Sequence, residues 1–515
     1  MCIKISNFAH QNTNRRKIMG VVAKQSIKGS IVSYFGVFIG FITSMLIVVP
    51  LVDPSSYGLL GILCDAATLL GSLAMMGMSA SGIKYFPYFK NPQKKHNGFF
   101  YYLLVIPLVG IAIFFTLALI LKWPIINYFS KNAALFGDYF YFIFPWAFFI
   151  VYQNIFATYS NVLMRIVVPR MVQEVIIRVF NMAILLLFAF KIVNIRWLVC
   201  LQVLVYGIAM TINFLYIARI DKLSLEHDNS FIPPPMRKEI ASYAGYTLLA
   251  SVGTSIMQKV DSFMIAGMLG LEFSGIYRIA MYMGIISEIP SRSLYAIAQP
   301  VAAEAIKKND FQTLSQLLKS VSINLMLISS AIFLLLYINV HNIFDLIPNG
   351  DKYESGKWVM VLIALAGVIN TTFTFSLNIL QLSKHYIYYL PFLLFLSALG
   401  ISGNYFLIPV WGINGASLAK VITYCVFGLI LTIFVYYKLH IHPLSWNHAK
   451  LLGIILVVVV VDQLLPVLGN HLFDGLYRTI ILAVGGILAV YFCKISPDAN
   501  RIADNLLAKI HKTKK

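Results

Sequence analysis

Apolar residues run along this chain in blocks of about 20, the number a helix rising ~1.5 Å per residue needs to cross the hydrocarbon of a bilayer. Six blocks fall near residues 28–49, 59–83, 99–121, 138–160, 171–193 and 197–217. A polar interruption follows, ARIDKLSLEHDNSFIPPPMRKE, with mixed charge and three consecutive prolines, Pro233, Pro234 and Pro235. Six more blocks lie near 240–267, 276–300, 320–341, 358–380, 386–408 and 412–437, and two close the series near 450–468 and 475–494. The pattern predicts an all-α polytopic membrane protein with about 14 transmembrane helices. The expected organisation is an N-terminal segment (1–27), a first six-helix lobe (28–217), a linker (218–239), a second six-helix lobe (240–437), two further helices (438–494) and a basic tail (495–515). An even number of spans per lobe implies a parallel repeat about an axis along the membrane normal. A short internal similarity supports this: VDPSSYGLLGI follows the first block and GLEFSGIYRIA follows the seventh. In each, an acidic residue (Asp53, Glu272) stands where it favours a helix N-terminus.

Composition agrees with the pattern: 59% of the 515 residues are hydrophobic and 12% charged, outside the range of soluble domains. The net charge of +20 does not indicate nucleic acid, because the basic residues sit in short connections rather than on a soluble recognition fold. About 28 of the 40 Lys and Arg fall before the first span, after the last, or in the connections on that same side, against about 8 on the other side. This bias predicts that both termini are cytoplasmic. The first block lacks a small-residue cleavage site after it and reads as an anchor; Met19 is an alternative start to Met1. The tail has the composition of a short amphipathic helix with a basic end, suited to anionic lipid. The five cysteines have no CxxC spacing and read as small hydrophobes. Tyr and Phe crowd 99–102, 138–149 and 385–395, as interfacial belts do.

Charge inside the apolar blocks is the main chemical signal. Lys259, Asp261, Glu288 and Arg292 lie within the seventh and eighth spans, and an ionised side chain at the bilayer centre costs at least ~2.5–3.5 kcal/mol on insertion scales. Such groups face a bundle interior or a watery cavity. Measured from the turn around Leu271, Lys259 would lie roughly 15 Å and Glu288 roughly 18 Å deep, within reach of each other across antiparallel helices. Glu288 and Arg292 are i,i+4 neighbours, with Pro290 between them removing a backbone donor. The four charges sum to zero, so a structural pairing role stands beside a cavity-lining one. Arg178 follows Glu174 by four residues, a self-contained pair. Lys84 reads as snorkelling to the inner surface, and Lys420 stands alone in the twelfth span. Asp65 and Asp462, each the sole acid of its span, are candidates for a coupling proton or sodium ion.

Walker A, nucleophile-elbow and HExxH patterns are missing from the sequence, and no connection on the outer side exceeds roughly 16 residues by the span lengths used above. A chain of this kind is expected not to be an enzyme, and its solute site is expected between helices. His440, His442 and His448 share one loop without a carboxylate or Cys partner, so no metal is expected. A membrane polymerase or ligase of the O-antigen type would need a long outer loop, and a scaffold would leave the charges merely paired.

The runs VDSFMIAGMLGLEFSGIYRIAMYMG, YGLLGI, MGMSASGIKYFPYF and PVWGINGASLAKVITY resemble the polysaccharide flippases of the multidrug/oligosaccharidyl-lipid/polysaccharide exporter superfamily. The resemblance spreads over most of residues 25–437. It implies a V-shaped pair of lobes around a central cavity, moving undecaprenyl-diphosphate-linked oligosaccharide from the inner to the outer leaflet of a bacterial inner membrane by alternating access. Arg292, Lys259, Lys420 and Arg178 would then hold the pyrophosphate, with Asp261, Glu288 and Asp65 supplying cavity charge or ion coupling. It implies no cofactor beyond a coupling proton or sodium ion, and as partners the lipid-linked glycan, membrane lipid and a glycan assembly machinery. The multidrug branch of the same superfamily, exporting small cations, is the alternative transporter.

Overall fold

The computed structural model describes residues 32–33, 35–226, 231–501 and 503–505. The expectations for residues 1–27, for the start at Met1 or Met19 and for the basic end of the tail lie outside the described residues. Among those described, the ordered elements are helices and no strand occurs. Ten of the described helices are long and apolar enough to cross a membrane, which makes this an all-α polytopic membrane protein.

The chain divides into two compact units, Met1–Ile256 and Met257–Lys515. In the first, α1 (Phe35–Leu51) is apolar but short. Helix α2 (Pro54–Ala74) begins at the expected cap: the Asp53 carboxylate accepts the backbone N–H groups of Ser55 and Ser56 at 3.1 and 3.4 Å. A left-handed pair, Met76 and Gly77, turns the chain into α3 (Met78–Phe89). Then come α4 (Phe99–Ile120), α5 (Leu135–Val162), α6 (Val167–Ala189) and α7 (Ile195–Ile220). The aromatic crowding at 99–102 and 138–149 proves only partly interfacial. Phe99, Phe100, Phe140 and Trp146 are at most 4% exposed, and Phe99 and Phe100 pack with Tyr85, Phe86 and Tyr159 in one aromatic core. Their rings are spaced to fall on the inward stripe of their helices, which composition alone does not reveal.

Helix α8 (Pro234–Met268) carries the boundary between the units, at Ile256. The second unit continues with α9 (Leu271–Gly284), a 3-10 turn over Ile285–Glu288, and α10 (Ile289–Lys307). Glu272 sits in the first turn of α9. Pro290 stands in the first turn of α10, where its missing N–H is harmless, so the bend occurs just before it. Next are α11 (Phe311–Ile338), the short α12 (Val340–Leu346), α13 (Lys357–Leu382) and α14 (Tyr389–Leu439). Helix α14 is continuous only by hydrogen-bond pattern. Gly412, at φ 58° and ψ −137°, takes a conformation closed to side chains with a Cβ and reverses the chain. Hence Gly403 packs on Ala419, whereas a straight helix would hold residues 16 apart at roughly 24 Å.

Helices α15 (Trp446–Leu464) and α16 (His471–Phe492) complete the unit. They are fastened by charge. Arg478 donates to Asp462 Oδ1 at 3.0 Å, to Asp474 at 3.0 Å and to the carbonyls of Leu465 and Pro466, while Asn342 of α12 donates to Asp474 at 2.9 Å. Arg478, Asp462 and Asp474 are each at most 9% exposed. Asp462, a coupling candidate from its isolation in the sequence, is thus engaged with Arg478, 16 residues downstream.

Candidate functional site

Buried charge gathers in the second unit, where α8, α9, α13 and the two arms of α14 meet. Asp261 of α8 is 4% exposed. Its Oδ2 accepts the Lys420 ammonium at 2.6 Å and the Tyr277 hydroxyl at 2.9 Å, and its Oδ1 accepts the Asn404 amide at 2.7 Å. Lys420 and Asn404 stand on opposite arms of α14, so the reversal at Gly412 is what brings both donors to one carboxylate. Desolvating a carboxylate and an ammonium is costly unless they are paired and hydrogen-bonded, and here both conditions hold. Lys420, isolated in the linear sequence, is therefore an ion-pair partner and not a free cation. A cavity of about 20 Å³ borders this pair, lined among others by Asp261, Asn404, Lys420, Thr423 and Tyr424. That is room for about one water-sized species. The buried Asn404 Oδ1 has no hydrogen-bond partner among the described residues.

A second carboxylate lies close by. Glu288 closes the 3-10 turn before α10 and accepts the Asn370 amide of α13 at 3.2 Å, while Thr374 donates to Asn370 Oδ1 at 2.6 Å. Lys420 and Arg292 both act electrostatically on Glu288, and Tyr424 feels Glu288 and Asp261 together. The two carboxylates thus belong to one polar cluster. Glycine permits the approach: a Cβ on Gly367 would collide with Ser287 Oγ and lie 3.0 Å from Glu288 Cγ. Arg292 is exposed and Lys259 half-buried, so neither is sealed in packing.

Other sequence candidates lie in the first unit. Arg178 donates to Glu174 Oε2 at 2.9 Å and to the Gly36 carbonyl at 2.6 Å, tying α6 to α1. Asp65 is 1% exposed within α2. Lys84 lies 3.9 Å from the centre of the Tyr243 ring and 3.8 Å from Glu239. In the second unit, His448 serves as a capping residue, accepting the Ser445 N–H at Nδ1 and meeting Ser322 Oγ through Nε2 at 3.0 Å. Sequence reasoning missed Tyr277, Asn370, Asn404 and Tyr424, whose only signal is an amide or phenol within an apolar run. It also passed over Arg278, a cation 5% exposed inside α9.

Two units of membrane-spanning helices, one with a paired charge cluster in its interior, make up an all-α fold of the kind seen in solved transporters. The fold is similar to that of the lipid II flippase MurJ in an inward closed conformation, with TM-score 0.66 and 14% identity over 89% of this chain and 98% of that one. It is also similar to an inward-facing multidrug resistance MATE family transporter, with TM-score 0.63 and 13% identity over 79% and 94% of the two chains. A superfamily transporter from Pyrococcus furiosus aligns with TM-score 0.54 and 14% identity over 82% and 95%. No curated protein matches the chain in sequence. Residues 23–305 match the family of polysaccharide biosynthesis proteins, and the chain belongs to that family.

Proposed function

We propose that this protein is a flippase, without covalent catalysis, that carries undecaprenyl-diphosphate-linked oligosaccharide from the inner to the outer leaflet of a bacterial inner membrane by alternating access. The observation that carries the reading is the sign of the charge in and beside the cluster. Lys259, Arg292 and Lys420 outnumber Asp261 and Glu288 by one within a single unit, which suits an anionic headgroup better than a cationic drug. Arg292 is the group for the pyrophosphate: it is exposed, and a guanidinium fork donates to phosphate oxygens in pairs. Lys259 serves beside it as a point charge.

Lys420 takes a different role from the one its isolation in the sequence implies. Held by Asp261, it is the coupling element. A proton or sodium ion arriving at Asp261 competes with the ammonium, and the released Lys420 adds a positive charge near Glu288 when substrate is to be bound. Loading of the acid and capture of the diphosphate are thereby linked, each changing the free energy of the other.

The test is reconstitution in vesicles containing a labelled lipid-linked oligosaccharide. Transfer of label between leaflets under a proton or sodium gradient is expected, with loss in Arg292→Ala at normal expression. An unchanged label distribution under every gradient overturns the flippase reading, and uptake of a cationic dye without glycan movement would assign the protein to the multidrug branch.

A further inference from the structure

A second cavity lies wholly in the first unit and is unlike the charged cluster. It measures about 480 Å³ and is lined on α4 by Tyr101, Leu104 and Leu108, on α5 by Tyr152 and Phe156, and on α7 by Phe214, with further apolar neighbours from the same helices. Two of its three side-chain hydroxyls are turned to the backbone: the Tyr152 hydroxyl donates to the Leu104 carbonyl at 3.2 Å and the Thr211 hydroxyl to the Gly207 carbonyl at 2.9 Å. A sugar or phosphate would lose its hydrogen bonds here, whereas a hydrocarbon chain loses nothing. From Tyr101 to Leu108 the slot follows α4 for roughly 10 Å, less than the ~15 Å half-thickness of a hydrocarbon core. It therefore fits a chain belonging to one leaflet.

One end of the slot is basic. Leu225, which lines it, precedes Glu226, and Glu226 pairs with Lys95 at 3.0 Å. Beside this contact, buried His96 meets Asp221 at 3.3 Å, and Tyr159 donates to the same Asp221 oxygen at 2.5 Å. The two chain segments that form this rim, before α4 and after α7, are thereby pinned together. These segments and the last turn of α7 carry five exposed cations, Lys90, Lys94, Lys95, Arg219 and Lys222, against Asp221 and Glu226. This is also the side that the Lys and Arg bias assigns to the cytoplasm, where anionic lipid meets basic clusters beside membrane helices.

We propose that this slot holds one acyl chain of an anionic phospholipid whose headgroup rests on the Lys94, Lys95, Arg219 and Lys222 rim. The site is separate from the charged cluster and stands whatever solute is carried. It gives the first unit a resident lipid, as distinct from a transported one.

The test uses the full chain in detergent with dioleoyl phosphatidylglycerol or dioleoyl phosphatidylcholine, with bound lipid counted by native mass spectrometry. Phosphatidylglycerol is expected to be retained preferentially. Lys94→Ala with Lys222→Ala should reduce that preference by roughly fivefold for each cation removed and leave phosphatidylcholine retention unchanged. Thr211→Phe and, separately, Leu108→Phe, which narrow the slot from two helices, should lower retention of both lipids; whichever variant keeps the parent thermal midpoint is the one read. Equal retention of the two lipids by the parent protein overturns the proposal. So does unchanged retention in a folded slot variant, or stoichiometric displacement of phosphatidylglycerol by an equimolar polyprenyl phosphate, which would make the slot part of the substrate path.

Discussion

Replacing Lys420 by Met keeps most of the side-chain volume and removes only the ammonium. Asp261 is then a carboxylate 4% exposed whose remaining donors are the neutral Tyr277 and Asn404. Breaking a buried ion pair by removing one partner costs about 3–5 kcal/mol, because the other charge stays buried, while replacing both partners by neutral groups is often close to neutral. Asp261→Asn alone should cost a similar amount by stranding the ammonium. The Asp261→Asn, Lys420→Met double variant should therefore be more stable than either single variant, which requires a coupling energy larger than the larger single loss, more than about 3 kcal/mol and so at or above the top of the usual range for residues in one charge network. Thermal midpoints of the purified proteins in one detergent measure this directly, and the same four proteins in vesicles separate stability from transport. The double variant is expected to fold and not to couple. If the losses of the two single variants simply add in the double variant, the pair contributes no coupling and the charge cluster is not the unit described above.

Arg478→Ala removes the only group shared by Asp462 and Asp474 among the described contacts; a loss of about 3–5 kcal/mol is expected, with protease cutting in the α15–α16 connection appearing before cutting elsewhere, and an unchanged cleavage pattern would refute the clasp. Gly367→Val forces a side chain against Ser287 and Glu288; overpacking of this kind costs about 1–3 kcal/mol, so a lowered midpoint is expected, and a neutral result would mean that α13 does not approach the 3-10 turn closely. Asp53→Ala deletes the cap of α2 and should cost about 0.5–2 kcal/mol, recovered in large part by Asp53→Asn, which keeps an acceptor; equal losses in the two variants would argue against capping.

Much of the architecture was legible in the linear chain because the bilayer restricts the solutions. Backbone groups in hydrocarbon must be satisfied within each segment, so long apolar runs become helices; the runs near 99–121 and 197–217 become Phe99–Ile120 and Ile195–Ile220, while the run near 320–341 starts earlier, as Phe311–Ile338. The Asp53 cap and the Glu174 and Arg178 pair were equally legible, since both are contacts within one or two turns. What the sequence could not determine were contacts across helices. Lys420 looks isolated because its partner Asp261 is 159 residues away, and Asp462 looks isolated because Arg478 lies beyond a turn. Phe99 and Phe100 look interfacial until their inward orientation is known. In each case the residue type announces a need, for a counter-charge or for burial, and that need is a property of the sequence alone. Which group meets it depends on helix rotation and on the chain reversal at Gly412, and those are settled only when the helices pack.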